Sequence, residues 1–276
     1  MAGLRPNRIL LDPTENRAIG AGTIVHMCGR YANSADTASL YGSYALDEVI
    51  GDDLPPSWNI APTDAVRGIV RRKSRSEDDD SSAQAKQLRT LRWGLVPSWS
   101  KTRAGAAKLI NARQETVTVK PAFKTAAGRR RCLLPADGYY EWQNTADGKI
   151  PYFLHAPDGG QLAFAGLYEL WPDPALPDDD PTKWLWSCTV ITQQAIDTLG
   201  EIHDRCPVIV PVDMRDAWLD CATGDAEIAR RLLDEIPEPH LEPRIVSTAV
   251  NSVRNDGPEL IRPAATPPVA QQTLDI

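Results

Sequence analysis

The sequence lacks the residue patterns that build metal centres, disulfide frameworks and membrane spans. Its five cysteines are odd in number and widely spaced, without any CxxC pair, which argues against a zinc site or a disulfide framework. No apolar run approaches the roughly 20 residues of a membrane-spanning helix. Residues 1–26 also lack the apolar core of a secretion signal. We therefore expect a soluble protein of the reducing cytoplasm that contacts no membrane.

Basic residues are also outnumbered by acidic ones, 30 to 37, so the formal net charge is −7. Two acidic runs, Glu77–Asp80 and Asp178–Asp180, hold much of the negative charge, and the rest of the chain is balanced. Both runs lie among Ser, Pro and Lys, as solvated loops do. A local basic surface formed by Arg129–Arg131 and Arg113 is therefore compatible with an acidic chain. The alternative is that these arginines are simply solvated.

The composition along the chain predicts one domain between two irregular ends. Residues 1–26 mix Pro, Asn, Gly and Arg without periodicity, so we expect them to be disordered or to reflect an upstream start, and to be absent from the active form. Residues 27–262 form the predicted catalytic domain. Residues 263–276 are rich in Pro and polar side chains, which indicates a flexible tail.

Short runs with strand character dominate the predicted domain, and helical patterns are fewer. The strands are predicted near 65–72, 87–95, 107–112, 131–135, 138–143, 151–155, 162–169, 184–191, 206–210 and 244–250. The helices are predicted near 35–50, 121–127, 193–199, 213–221 and 223–235. The first helix is expected to begin at an N-cap Ser34 and to bury Leu40, Tyr41, Tyr44 and Val49. Without regular βαβ alternation, this pattern favours a single α+β domain around a curled, mostly antiparallel, barrel-like sheet.

Met27-Cys28-Gly29-Arg30-Tyr31 offers unusual chemistry if Met27 is the start codon, because a trimmed chain would begin at Cys28. The α-amine titrates near ~7.7 and a free thiol near ~8.5, so one residue would carry two nucleophiles near neutral pH. The alternative is that Cys28 is a small buried hydrophobic residue, the usual fate of an isolated cysteine in a strand.

Three other segments place polar residues where apolar ones are usual, and two of them contain candidate acid–base groups. Glu141 stands between Tyr140 and Trp142, which would desolvate the carboxyl group and raise its pKa toward acid–base use. His203 precedes Asp204 and would act as a proton carrier. Each also has an ordinary interpretation, as a solvent-facing strand position and as a loop histidine.

Asn111 and Arg113 alternate along a predicted strand, so both would face one side and offer an amide and a phosphate-pairing guanidinium. Trp93 and Trp99 flank a turn broken by Gly and Pro, where their rings would stack on unpaired bases. The alternative for both tryptophans is a place in the core.

These segments, in order, resemble the SOS-response-associated peptidase family. The resemblance rests on MCGRY, WNIAPT, RWGLVPSW, INARQET, CLLPADGYYEW, IHDRCPVIV and VNSVRNDGPELI, and it spans roughly 27–262. It implies a protein that binds abasic sites in single-stranded DNA and cross-links to them through Cys28, without a cofactor. The implied active-site partners are Asn111, Glu141 and His203. The residues implied to line the DNA groove are Arg30, Asn59, Arg113, Trp93 and Trp99.

One departure from the family pattern concerns the N-terminus, because 26 residues precede Met27 whereas the implied chemistry requires Cys28 to come first. Either translation starts at Met27, or the protein cuts off the extra segment, as the peptidase name of the family implies. Two other functions stay open: a cysteine peptidase acting on other proteins with His203 as base, and a module that binds single-stranded DNA without a covalent bond. We expect a monomer that associates with the nucleoid when bound to DNA. The tail segment Gln271–Ile276 resembles the short peptides that dock on bacterial sliding clamps.

Overall fold

The structure, a computed structural model, describes residues 28–74, 84–146 and 148–265, with Asp197 and Thr198 described by their backbone alone. These residues form two β-sheets and five short α-helices. The strands are β1 Tyr31–Asn33, β2 Glu48–Ile50, β3 Ser57–Ile60, β4 Ala65–Lys73, β5 Gln84–Trp93, β6 Asn111–Arg113, β7 Arg131–Ala136, β8 Gly138–Thr145, β9 Gly148–His155, β10 Leu162–Pro172, β11 Trp184–Gln194, β12 Arg205–Pro207 and β13 Glu242–Ile245. The helices are α1 Thr37–Tyr44, α2 Lys124–Arg129, α3 Asp197–Ile202, α4 Arg215–Leu219 and α5 Ala226–Glu235.

The larger sheet closes on itself as a five-stranded barrel in the order β10, β7, β4, β5 and β11. The neighbours are antiparallel except at the closure, where β5 and β11 run parallel and Trp93 pairs with Cys188. At Gly166 the interior is so tight that a Cβ would lie 2.8 Å from Cys132 Sγ. Strands β2 and β6 add parallel pairings at the edges. The predicted α+β domain around a curled, barrel-like sheet is confirmed.

The smaller sheet has the order β13, β9, β8, β1 and β3, and both of its faces are covered. Tyr31 and Tyr139 on one face meet Phe164 of the barrel edge-on, with ring centroids 5.7 and 6.1 Å apart. Tyr140 and Phe153 on the other face pack with apolar residues of segment 246–261. Aromatic contacts of this kind hold the smaller sheet against the barrel.

The first predicted helix is shorter than expected, because α1 ends where Ala45 adopts a left-handed φ of 47°. Its N-cap is Asp36, which accepts a hydrogen bond from the Ser39 amide at 2.7 Å, rather than Ser34. Leu40 and Tyr44 are buried as predicted.

The predictions for Tyr41 and Val49 are wrong, because their exposed fractions are 47% and 45%. Val49 belongs to β2, where pairing with β5 and not an amphipathic helix determines the backbone.

The ends of several other elements shift by a few residues. Segment 107–112 overlaps a 3₁₀ turn at Ala106–Lys108 and the start of β6. Segment 244–250 overlaps the end of β13 and a 3₁₀ turn at Thr248–Asn251. At the predicted start of the tail, Pro263 still pairs with Val246. The acidic run Glu77–Asp80 and the tail beyond residue 265 lie outside the described residues. Within the described ranges, the helices are too short or too polar to cross a membrane.

Candidate active site

Cys28 lies where the two sheets meet, and its nitrogen and sulfur have different partners. Its backbone nitrogen donates a hydrogen bond to Glu141 Oε1 at 2.6 Å. Its Sγ donates to the carbonyl oxygen of Arg205 at 3.8 Å. Only 4% of Cys28 is exposed. Burial and the neighbouring Glu141 raise the pKa of the thiol well above its usual value, so the sulfur is held as a neutral thiol.

Glu141 projects from the middle of β8 toward Cys28. Burial raises the pKa of its carboxyl group, while His203 and the hydrogen bond from Cys28 act in the opposite direction. The direction of this shift was predicted, but the residues given as its cause were wrong. Side chains alternate along a strand, so Tyr140 and Trp142 pack on the opposite face, and Tyr139 shares the face of Glu141.

His203 follows the last residue of α3, and its imidazole is placed for proton exchange. Its Nδ1 lies 3.1 Å from the amide nitrogen of Arg205 and 3.0 Å from Asp204 Oδ1. The first contact requires a lone pair on Nδ1, whereas the second requires a proton there. Nδ1 therefore has a partner in both protonation states, which suits a group that gives and takes a proton.

An ion pair that the sequence analysis did not identify lies directly behind Cys28. Arg205 is 8% exposed, and its guanidinium donates to both carboxylate oxygens of Glu115 at 2.5 and 3.0 Å. It also donates to the carbonyl oxygen of Thr192 at 2.6 Å. The hydrogen bonds from Arg205 lower the pKa of the Glu115 carboxyl group. The signal in the sequence was a pair of opposite charges, Glu115 within INARQET and Arg205 within IHDRCPVIV.

Arg30 and Asn59 form a strut of hydrogen bonds to segment 250–255. Arg30 donates through one nitrogen to Asn59 Oδ1 at 2.6 Å and to the Val250 carbonyl at 3.0 Å. The Asn59 amide donates in turn to the carbonyls of Ser252 and Asn255 at 3.0 and 2.7 Å. Asn59 is 3% exposed. Both ends of its side chain are occupied, which corrects the prediction that Asn59 lines a DNA groove; it supports segment 250–255.

The two tryptophans of the RWGLVPSW segment have opposite environments. Trp93 is 1% exposed, and its Nε1 donates to the Ile110 carbonyl at 3.0 Å inside the barrel. A ring without an open face cannot stack on a base, so the prediction for Trp93 is wrong and the core interpretation applies. Trp99 is 68% exposed. The next residue, Ser100, accepts a hydrogen bond from Trp171 Nε1 at 2.6 Å, which fixes the turn that carries Trp99.

Strand β6 carries the remaining predicted residues. Asn111 and Arg113 lie on one side of β6, with the buried Ala112 between them on the other. Asn111 is half-buried and pairs with Val190 of the barrel, whereas Arg113 is exposed. Their predicted roles remain predictions.

A comparison with known families bears on the role of the site around Cys28. Residues 27–253 match the model of the SOS response associated peptidase (SRAP) family. The chain belongs to this family. The resemblance predicted from the ordered motifs is confirmed.

Two curated relatives and two solved structures illustrate the similarity of this SRAP chain. YoqW of Bacillus subtilis (strain 168), named an abasic site processing protein, is 34% identical over 237 residues, covering 85% of this chain and 99% of YoqW. HMCES of Gallus gallus carries the same descriptive name and is 33% identical over 270 residues, covering 86% of this chain and 78% of HMCES. A Bordetella bronchiseptica protein has a TM-score of 0.64 at 25% identity, over 80% of this chain and all 100% of its own. A Bacteroides thetaiotaomicron protein shares the fold, with a TM-score of 0.67 at 22% identity, covering 86% of this chain and 100% of that protein.

The arginine run of this SRAP chain does not form the basic surface that its sequence suggested. Arg130 pairs with Glu169 at 2.8 Å. Arg131 is 1% exposed and donates to main-chain carbonyls that include those of Ala127 and Trp218. These two arginines are therefore structural. Within the described ranges, no group of three or more His, Cys, Asp or Glu side chains is arranged to hold a metal ion.

Proposed function

We propose that this protein processes abasic sites in single-stranded DNA during the response to DNA damage, and that it does so by forming a covalent bond through Cys28. The names of relatives that are 34% and 33% identical support abasic-site processing. The single observation that carries the covalent mechanism is the 2.6 Å contact between the Cys28 nitrogen and the Glu141 carboxylate. A nitrogen and a sulfur on adjacent carbons, beside an acid–base group, suit the capture of an aldehyde.

The first step requires a free α-amine on Cys28, for which the backbone nitrogen of the longer chain stands in. The open form of an abasic sugar is an aldehyde, and the amine adds to its carbon to give a carbinolamine. Glu141 accepts the amine proton and returns a proton to the hydroxyl group that leaves as water. Because burial raises the pKa of Glu141, the carboxyl group can hold that proton closer to neutral pH. The product is a Schiff base.

The thiol of Cys28 acts in the second step. Its sulfur adds to the imine carbon, the π electrons move to nitrogen, and the thiol proton follows them. The resulting five-membered thiazolidine contains the sulfur, two carbons and the nitrogen of Cys28, and the sugar carbon. The closeness of the two nucleophiles favours this closure. Because burial raises the pKa of the thiol, the sulfur stays neutral until the imine forms, and the amine acts first.

The other predicted residues take supporting roles in this proposal. His203 protonates the sugar oxygen as the ring opens, since its Nδ1 has a partner with and without a proton. Asn111 holds the Cys28 terminus. Arg113 pairs with a phosphate. Arg30 does so through the guanidinium nitrogens that do not contact Asn59 or Val250. Trp99 stacks on an unpaired base.

Self-processing is part of the proposal, because the amine of Cys28 must be released from Met27. Cys28 has a φ of 44°, a left-handed conformation that is uncommon for a residue with a Cβ. Backbone strain of this kind is found at functional sites. Glu141 is hydrogen-bonded to the nitrogen that would leave, so the same carboxyl group can protonate it when water cleaves the Met27–Cys28 bond.

A denaturing gel tests the proposal against its two rivals. Protein with a free Cys28 is incubated with single-stranded DNA carrying one abasic site, and with a matched strand carrying a tetrahydrofuran that has no aldehyde. We expect a stable adduct with the abasic strand alone. Binding on a native gel without an adduct would instead identify a non-covalent module. Cleavage of unrelated proteins without an adduct would identify a peptidase.

Partners and location belong to the same proposal. The protein acts as a monomer in the cytoplasm, on the nucleoid when bound to DNA, and needs no cofactor. The segment Gln271–Ile276 docks on the replication sliding clamp and tethers the domain near template strands. Titration of the isolated tail peptide tests this: absence of competition with a known clamp-binding peptide removes the clamp from the proposal.

A further inference from the structure

Arg205 contacts two residues of the proposed site through its main chain. Its carbonyl oxygen accepts the hydrogen bond from Cys28 Sγ at 3.8 Å, and its amide donates to His203 Nδ1 at 3.1 Å. Neither contact uses the guanidinium group. The position of the Arg205 backbone therefore determines where the thiol lies and which form of His203 is stabilised.

The side chain of Arg205 anchors that backbone. Strand β12 has three residues and pairs only with the end of β11 among the described strands. The guanidinium makes two hydrogen bonds to Glu115, which fasten β12 to the segment after β6. A third hydrogen bond, to the Thr192 carbonyl, fastens it to β11. A bidentate arginine–carboxylate pair fixes geometry as well as charge.

The nitrogen of Cys28 does not depend on this anchor. Its partner is Glu141 on β8, which belongs to the smaller sheet, whereas Arg205 and Glu115 are tied to the barrel sheet. Displacement of β12 would therefore move the sulfur and leave the nitrogen beside its acid–base group.

We propose that Glu115 is a positioning residue for ring closure, and this inference rests on the proposed function. Glu115 holds Arg205, and Arg205 holds the thiol where it meets the imine carbon. In the step concerned, the S–C bond forms, the C=N π bond opens onto nitrogen, and the thiol proton ends on that nitrogen. Imine formation, which consumes the amine and releases water, takes place beside Glu141 on the smaller sheet, and its rate depends on Glu115 only through the Arg205 amide at His203 Nδ1.

Removal of the carboxylate should therefore change the balance between two products. Without the Glu115 carboxylate, the buried positive charge of Arg205 is no longer compensated. The guanidinium therefore shifts, and β12 shifts with it. The imine still forms but closes slowly, so it accumulates. A role in stability alone would lower both products together.

The experiment compares Glu115→Gln with wild type in the abasic-strand assay, run with and without borohydride. In wild type we expect nearly all adduct to form without reductant. In Glu115→Gln, the borohydride-dependent share should rise about tenfold, a typical effect of losing an outer positioning contact, while the total trapped product changes little. Glu115→Asp, which keeps the charge, should restore much of the wild-type balance. Glu227→Gln removes an exposed ion pair with Arg230 on α5 and serves as the matched control.

The outcomes separate this inference from the function on which it rests. If wild type forms no adduct, the proposed function is wrong. If wild type forms one and Glu115→Gln keeps its product balance, or loses both products equally while folded by circular dichroism, the positioning role is wrong. Should Glu115→Gln fail to fold, Arg205→Lys keeps the positive charge, loses the bidentate geometry and gives the same test.

Discussion

The nitrogen and the sulfur of Cys28 are held by different sheets and by different kinds of group. The nitrogen meets the carboxyl group of Glu141 on the smaller sheet at 2.6 Å. The sulfur meets the main-chain carbonyl of Arg205 on the barrel sheet at 3.8 Å. A carboxyl group exchanges protons, whereas a carbonyl only accepts a hydrogen bond. The nitrogen side is therefore suited to proton transfer and the sulfur side to holding a neutral thiol.

This division implies that the two steps of the proposed reaction can be impaired separately. Changes on the nitrogen side should affect every product, because the imine precedes ring closure. Changes on the sulfur side should alter only the fate of the imine. The following predictions use this asymmetry, from the largest expected effect to the smallest.

Blocking the nitrogen is expected to have the largest effect. Protein that retains residues 1–27 has an amide at Cys28, which cannot form a Schiff base, so we expect no adduct with or without borohydride. Protein that begins at Cys28 should form the adduct. Intact-mass measurement of each preparation assigns its N-terminus, and an adduct whose protein mass includes residues 1–27 would refute the amine mechanism.

Cys28→Ala tests the sulfur side, because a free amine remains while ring closure becomes impossible. The stable adduct should disappear, and a borohydride-dependent adduct should replace it. The persistent imine is open to β-elimination at the neighbouring phosphate, so strand nicking should also appear. The idea fails if the variant binds abasic DNA normally but yields neither nicking nor a reducible adduct.

Glu141→Gln tests the nitrogen side without removing either nucleophile. The amide can still accept a hydrogen bond but cannot carry a proton, so imine formation should slow by about 10²–10⁴-fold, as for other general acid–base groups. The product balance should stay that of wild type, because ring closure uses other contacts. Single-turnover rates measure this, and a wild-type rate would exclude Glu141 as the proton carrier.

The same substitution should stabilise the fold, since the carboxyl group is buried and its pKa is raised. A carboxyl whose folded pKa exceeds its unfolded value contributes stability below the unfolded pKa and loses it as pH rises through the folded pKa. The melting temperature of Glu141→Gln should therefore exceed that of wild type near neutral pH, and the gap should close on acidification. The comparison uses chains with an amide at Cys28, so that no ammonium group compensates the carboxylate. A gap that is independent of pH would contradict the burial argument.

The residues at the centre of this comparison were predicted from the resemblance to the family, because Cys28 and Glu141 taken singly each had an ordinary interpretation. Glu141 stands out within a buried strand, and Cys28 stands out for its chemistry. The Glu115–Arg205 pair was not predicted, because the two residues are 90 positions apart and each resembles an ordinary surface charge. Only the approach of β12 to the end of β6 brings them together.

Trp93 and Trp99 show a second limit of sequence patterns. Both belong to one short segment, yet one fills the barrel and the other faces solvent. Hydrophobic periodicity identifies the buried face of a regular strand or helix, but it does not apply across a turn. Tertiary contacts, here the hydrogen bond from Trp171 to Ser100, determine which ring stays exposed.

The smallest effect on the proposed reaction is expected for substitution of Cys206, which packs in the same cluster as Cys28. Cys206 follows Arg205 on β12 and is completely buried. Burial raises its pKa to about 12, so its sulfur is a neutral core group. Cys206→Ala should cost about 1 kcal/mol of stability through the lost sulfur and leave the borohydride-independent adduct unchanged.

Cys188→Ala, at the barrel closure where Cys188 pairs with Trp93, is the matched control for the loss of a buried thiol. Thermal melts give the stability change of both variants, and the denaturing gel gives the product balance. If Cys206→Ala accumulated a reducible imine as Cys28→Ala should, while Cys188→Ala did not, the contribution of β12 would include its second side chain. The backbone of Arg205 would then be only part of what holds the sulfur side. An unchanged balance in Cys206→Ala would restrict that role to Arg205 and the carboxylate that anchors it.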